Sequence, residues 1–152
     1  GGIRVPALIR WPGHIAPGAT SDQTAMSMDY LPTLLAAAGT TPDPRFPSDG
    51  ENLLPVWTGR APSHPRCLYW RYKAQGQVAF RDGDWKYLKI ADHEFLFNLA
   101  EDPRERANLA KKDAARFARM KADFEAWNAT MLPYPPDSLS HNVKQDGWAD
   151  RY

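Results

Sequence analysis

The chain is poor in cysteine, in net charge and in long apolar runs. Cys67 is the one cysteine in 152 residues, which excludes an internal disulfide framework and a thiolate metal cluster. Lys and Arg number 19 against 18 Asp and Glu, a formal net charge of +1. That balance gives no broad electrostatic footprint for nucleic acid or an anionic membrane. No apolar run approaches the roughly 20 residues of a membrane span. A basic-then-apolar leader is missing, and the chain opens on Gly1-Gly2 rather than Met, so a fragment or processed product is expected. Aromatic residues make up 12% of the chain, enough for a real core, and most of the sequence is expected to be ordered.

Local patterns fall into two regimes. In the first, Ala7-Leu8-Ile9 within Ile3–Trp11 is apolar on both faces and reads as a strand buried on both sides, closed by the turn chemistry of Trp11-Pro12-Gly13. Asp29 is the expected N-cap of a helix with Pro32 in its first turn. Leu31, Leu34, Leu35 and Ala38 would form its apolar face, and Gly39 its stop. A proline-rich loop follows, Leu53–Trp57 makes a brief apolar contact, and Thr58–His64 is the expected boundary.

From Cys67 the period switches to two. Strands are expected at Cys67–Lys73, Gln77–Arg81, Trp85–Ile90 and Phe95–Leu99, with turns at Gln75-Gly76, Asp82-Gly83 and Asp92-His93-Glu94. Links this short favour an antiparallel meander. Asp102-Pro103 opens a helical region in which Phe117, Met120, Phe124, Trp127 and Met131 form one stripe, read as a face packed on the sheet. Arg116, Arg119, Lys121, Asp123 and Glu125 form the other face, expected to be solvated. The tail from residue 132 carries Pro133, Pro135 and Pro136 and is expected to be extended.

Four ordered segments carry a family resemblance. They are Gly1-Gly2-Ile3-Arg4-Val5-Pro6 with Arg10-Trp11-Pro12-Gly13; Met28-Asp29-Tyr30-Leu31-Pro32-Thr33-Leu34-Leu35 with Ala38-Gly39; Asp49-Gly50 leading to Leu53-Leu54-Pro55; and Arg81-Asp82-Gly83-Asp84-Trp85-Lys86-Tyr87 followed by Leu96-Phe97-Asn98-Leu99, Glu101-Asp102-Pro103, Glu105 and Asn108-Leu109. Over residues 1–110 the chain resembles the C-terminal part of a sulfatase of the arylsulfatase type, in the alkaline phosphatase superfamily. The resemblance implies an α+β arrangement. Residues 1–62 would be the last strand and helix of a large α/β domain, 63–131 a four-stranded antiparallel sheet packed by a C-terminal helix, and 132–152 an extended Pro-rich tail.

The resemblance also implies the chemistry. Sulfatases hydrolyse sulfate esters through a formylglycine made from a Cys or Ser in a Cys-x-Pro/Ala-x-Arg motif, with calcium or another divalent cation polarising the sulfate. Those parts precede Gly1 in the family, so no catalytic or metal-binding residue is assigned here and the fragment itself is expected to be inactive. Cys67-Leu68-Tyr69-Trp70-Arg71 has the motif's Cys-to-Arg spacing, but Tyr69 stands where Pro or Ala belongs. Cys67 is therefore read as a small buried hydrophobe. His14, His64, His93 and His141 have no metal-site spacing and are read as surface residues. As a family position, Arg4 would hold the chain near the active-site loop through hydrogen bonds rather than touch substrate.

The family's small subdomain borders the substrate cleft, which makes Trp70, Arg71, Tyr72 and Lys73 the substrate-rim candidates. Cations suit an anionic ester and an aromatic ring suits a sugar or aryl face. Ordinary strand packing competes with that reading for each of them. Some relatives carry a His on the strand after the Arg-x-Gly turn, and here the corresponding place is near Leu88. The implied partners are a sulfated small molecule or sulfated sugar and the N-terminal part of the same chain. Export or a periplasmic location is implied only by family. Two alternatives stay open: a phosphoester or phosphonate hydrolase of the same superfamily, and a non-catalytic binding remnant that uses the apolar strand and helix face.

Overall fold

The computed structural model describes residues 3–134. They divide into two compact units, one of residues 6–65 and one of residues 66–134 with 3–5. The expected tail from residue 135 onward, with His141, lies outside the described residues.

The first unit is built around α1 (Tyr30–Ala37) and the single turn α2 (Leu54–Trp57). Asp29 sits at the N-cap position of α1, yet its side chain makes no capping bond there. It is fully buried. Its Oδ2 accepts from the Met26 amide at 2.6 Å and its Oδ1 from the Glu51 amide at 2.8 Å. One carboxylate thus joins two loops whose amides need partners. Thr33 repeats the device one turn on, with its Oγ1 accepting from the Leu53 amide at 2.9 Å. Gly50 permits this approach, because an added Cβ would overlap the Met28 carbonyl. Gly39 ends α1 at φ +77°, as a C-terminal glycine does.

Two expectations for this unit need correction. Residues 4–11 form no strand ladder, and Leu8 is wholly exposed. A strand buried on both faces requires neighbours on both edges, and among the described residues none lies beside it. The helix face expected to be internal is also open, with Leu31 59% and Leu34 62% exposed, whereas Pro32 and Thr33 are buried.

The second unit is an antiparallel meander in the order β1 (Cys67–Tyr72), β2 (Gln77–Asp82), β3 (Trp85–Ile90), β4 (His93–Asn98). The Asp82-Gly83 signal produces a hairpin whose turn residues are Gly83 and Asp84, with Gly83 at φ +57°. The last turn is Ala91-Asp92 rather than Asp92-His93-Glu94, so His93 and Glu94 begin β4. Ala91 adopts φ +50° to make it.

One row across the sheet, Tyr69–Phe80–Tyr87–Leu96, is set by the register of all three ladders. It meets α3 (Ala114–Ala129), whose Met120 and Phe124 complete the core. Tyr69 stacks on Phe80 at 4.5 Å and on Trp127 at 4.6 Å between ring centroids. Phe117 and Trp127 pack against this core, while Met131 falls beyond the helix end and is exposed. The helical region starts at Ala114, later than Asp102-Pro103, with Asp113 capping through its bond from the Arg116 amide. The polar face of α3 is also more engaged than expected. Arg116 lies over the Trp85 ring, Arg119 pairs with Asp82 at 2.9 Å and Lys121 with Glu94 at 2.9 Å. The free edge of β4 is closed by Asn108 and Leu109, which exchange bonds with Glu94 and Leu96.

Glu94 links sheet to helix, accepting from Tyr87 Oη at 2.8 Å as well as from Lys121. Partial burial pushes its carboxyl up, but the Lys121 and Tyr87 bonds outweigh this and hold it below the usual value of 4.5. A depressed folded value stabilises the fold above the unfolded value, and the contribution is lost as pH falls through the folded one. Urea unfolding of the wild type and Glu94→Gln should therefore differ at pH 7, with the gap closing as pH is lowered toward 2. A gap independent of pH would contradict the assignment.

Candidate functional site

Strand alternation sorts the rim candidates onto opposite faces of the sheet. Trp70 and Tyr72 point away from α3, on the face that also carries Ala79, Lys86, Leu88 and Ile90. These side chains, with Ile3, line a cavity of about 160 Å³. Its concavity has a simple origin. Trp70, Ala79 and Leu88 form one cross-strand row, and the small central residue leaves a dip between two large ones.

Arg71 also lines the cavity edge, but its guanidinium serves the opposite side. It donates to the Leu132 carbonyl at 3.1 Å and lies 4.6 Å from the centroid of the Tyr134 ring. Lys73 follows the end of β1 and is not among the lining residues. The structure therefore brings together Trp70, Tyr72 and the edge of Arg71, and leaves Lys73 outside the group.

The principal charged feature of the cavity was not anticipated. Lys86 and Glu105 form a buried ion pair, with side chains 5% and 9% exposed. Lys86 Nζ donates to both carboxylate oxygens, at 2.8 and 2.7 Å. Glu105 holds φ +57°, a strained conformation for a non-glycine residue, costing on the order of 1–3 kcal/mol. The carboxylate-bearing turn is fixed further by Asp102 Oδ2, which accepts from the Arg106 and Ala107 amides. Arg4 reaches the same turn, donating to the Pro103 carbonyl at 2.9 Å. A signal for the pair was present in the sequence. Alternation places Lys86 on one face with Leu88 and Ile90, and a lone cation among apolar residues needs a partner.

Cys67 departs from expectation, because it is exposed rather than buried. As the first residue of an edge strand it turns outward, with Sγ 3.7 Å from Asp82 Oδ1. Residual burial, then the Asp82 carboxylate, push its thiol up, the opposite of nucleophile activation. His64 pairs with Glu51 at 2.7 Å, His14 stacks on Trp11, and His93 is exposed at the start of β4 rather than in a turn. Among the described residues no group of three or more His, Cys, Asp or Glu could hold a metal ion. No helix among them is long and apolar enough to cross a membrane.

This four-stranded meander with one helix laid on it is an α+β fold shared with sulfatases. The crystal structure of Ps i-CgsB matches with a TM-score of 0.69 at 27% identity, over 77% of this chain and 27% of that one. That protein has also been solved in complex with k-i-k-neocarrahexaose. A family model described as N-sulphoglucosamine sulphohydrolase, C-terminal, matches residues 1–128, and the chain belongs to that family. Arylsulfatase A of Bos taurus is 38% identical over 136 residues, covering 72% of this chain and 26% of its own length. Choline-sulfatase of Rhizobium meliloti (strain 1021) is 39% identical over 115 residues, covering 73% and 22%. The chain thus spans about a quarter of the length of these curated relatives.

Removing one partner of a buried ion pair strands the other, at a cost of about 3–5 kcal/mol, whereas replacing both with apolar groups costs far less. Glu105→Ala, which strands Lys86, should lower unfolding free energy by that amount. The double variant Lys86→Met, Glu105→Leu should recover most of it. Equal losses in the two variants, measured by chemical denaturation, would show that the pair is not the constraint described here.

Proposed function

We propose that the chain is the C-terminal part of a sulfuric ester hydrolase whose nucleophile and metal lie on the part upstream of Gly1. The observation that carries this reading is the family match over residues 1–128, together with the shared meander-and-helix fold. A formylglycine and a divalent cation, calcium being the usual one, would supply the attack on sulfur and the polarisation of its oxygens. The described residues do not fit either group. Cys67 stands beside Asp82 with Tyr69 at the motif's Pro/Ala place, and no cluster of metal-binding side chains exists among them. No step is therefore assigned to this chain's residues, and the chain alone is inactive.

The chain's contribution is a wall of the substrate cleft, made by Trp70 and Tyr72 with Arg71 at the edge and Lys73 beyond the strand end. The substrate is a sulfated small molecule or sulfated sugar, a class supported by relatives named arylsulfatase A and choline-sulfatase and by the sugar complex of Ps i-CgsB. The upstream part of the same protein is the partner for the open apolar face of α1, Leu31 and Leu34, and for Leu8.

The whole reading frame, produced in a host that makes formylglycine, should hydrolyse 4-nitrophenyl sulfate and lose that activity with EDTA. Residues 1–152 alone should give no turnover. Hydrolysis by the isolated chain would overturn the proposal, as would a whole protein that cleaves 4-nitrophenyl phosphate or a phosphonate ester in preference to the sulfate.

A further inference from the structure

We infer that the outer edge of β1 is a peptide-binding edge, and that its occupant is this chain's own segment 137–146, added antiparallel as a fifth strand. The inference is independent of the reaction proposed above and rests on the backbone of the sheet.

In an antiparallel ladder, alternate residues turn their backbone N–H and C=O toward the partner strand and away from it. The Gly83 amide donates to the Arg66 carbonyl at 3.1 Å, one step before the Cys67–Asp82 pair. Leu68, Trp70 and Tyr72 therefore exchange bonds with β2, and Cys67, Tyr69 and Arg71 turn their backbone groups to the outer edge. The same rule applies to β4, where the Leu99 amide donates to the Asp84 carbonyl at 2.7 Å. Glu94, Leu96 and Asn98 then face outward. Each of the three is bonded there. Asn108 Nδ2 donates to the Glu94 carbonyl, Leu96 donates to Asn108 Oδ1 and accepts from the Leu109 amide, and the Asp102 amide donates to the Asn98 carbonyl. Among the described residues, nothing bonds the outward backbone groups of Cys67, Tyr69 and Arg71. One edge of the sheet is closed, and the other is a row of open donors and acceptors that templates an extended segment.

The chain itself delivers that segment. Trp127, in the last turn of α3, stacks on Tyr69 at 4.6 Å between ring centroids. Beyond the helix, Arg71 donates to the Leu132 carbonyl at 3.1 Å and lies 4.6 Å from the centroid of the Tyr134 ring. These contacts step along β1 toward its C-terminal end. From there the length of β1 lies back toward Cys67, so a segment that follows Tyr134 along the edge runs antiparallel to β1. Pro135 and Pro136 come first, and no proline follows them to residue 152. Proline lacks a ladder donor, so the pair suits the reversal, and residues 137–146 keep every amide before Gly147. Six of them span the roughly 20 Å of a strand as long as β1. A segment tethered beside its own site has a high effective concentration, which favours it over a second copy.

Hydrogen exchange of single amides, read by NMR, tests this with an internal control. In the 152-residue chain, the outward amides of Tyr69 and Arg71 should exchange roughly tenfold or more slowly than in a chain ended after Tyr134. Leu68 and Trp70, which bond to β2, should exchange alike in both. If the shortened chain also loses protection at Leu68 and Trp70, it has unfolded, and the full-length variant Ser140→Pro, Val143→Pro decides. One substitution at each parity removes a donor from the segment whichever way it faces, and should speed exchange at Tyr69 and Arg71 alone. Equal exchange at these two amides in the wild type and a folded variant would overturn the inference. Slow exchange that persists in a variant and strengthens with protein concentration would assign the edge to a second copy and overturn it as well.

Discussion

The Lys86–Glu105 ion pair is the constraint on which most of the sheet unit depends. A buried charge pair gives little net stability against an apolar alternative, but it fixes geometry because neither partner tolerates separation. Here it anchors a turn that holds Glu105 at positive φ. The same turn receives Arg4 at the Pro103 carbonyl and leads into Asn108 and Leu109, which close the exposed edge of β4. The N-terminal residues, a sheet edge and the cavity wall therefore all meet at the turn that this pair ties to β3.

The two faces of the sheet divide the work. The face toward α3 is a conventional core of stacked rings and Met120, tied at its margins by Arg116, Arg119 and Lys121. The opposite face carries a small residue, Ala79, between Trp70 and Leu88, and so keeps a concave surface. Alternate residues point to opposite sides of a sheet, so one face can be packed while the other stays open.

The meander and its helix were legible because period-two alternation and short turns are local signals, and the helix stripe at Phe117, Met120, Phe124 and Trp127 is another. What the sequence concealed was non-local. Asp29 looks like a helix cap, but its oxygens are taken by Met26 and by Glu51, a residue 22 positions away. Arg71 looks like an anion-binding residue, but alternation turns its guanidinium to Leu132, 61 positions on. The apolar run Ala7–Ile9 has strand composition and no neighbour among the described residues, and composition cannot form a ladder alone. Of the residues that line the cavity, Trp70 and Tyr72 were singled out as rim candidates by the resemblance. The Lys86–Glu105 pair, although both residues lie in the matched segments, needed the register to be seen.

The chain's family, its fold and its coverage of about a quarter of its relatives point to one arrangement. On the proposed function, the reaction chemistry would lie upstream and this part would supply a wall of the substrate cleft. Reading the coding sequence immediately upstream of Gly1 tests that arrangement most directly. The account predicts an in-frame Cys-x-Pro/Ala-x-Arg or Ser-x-Pro/Ala-x-Arg motif there, preceded by acidic metal ligands. An upstream sequence with a Thr or Ser nucleophile outside such a motif, or no coding sequence at all, would contradict it.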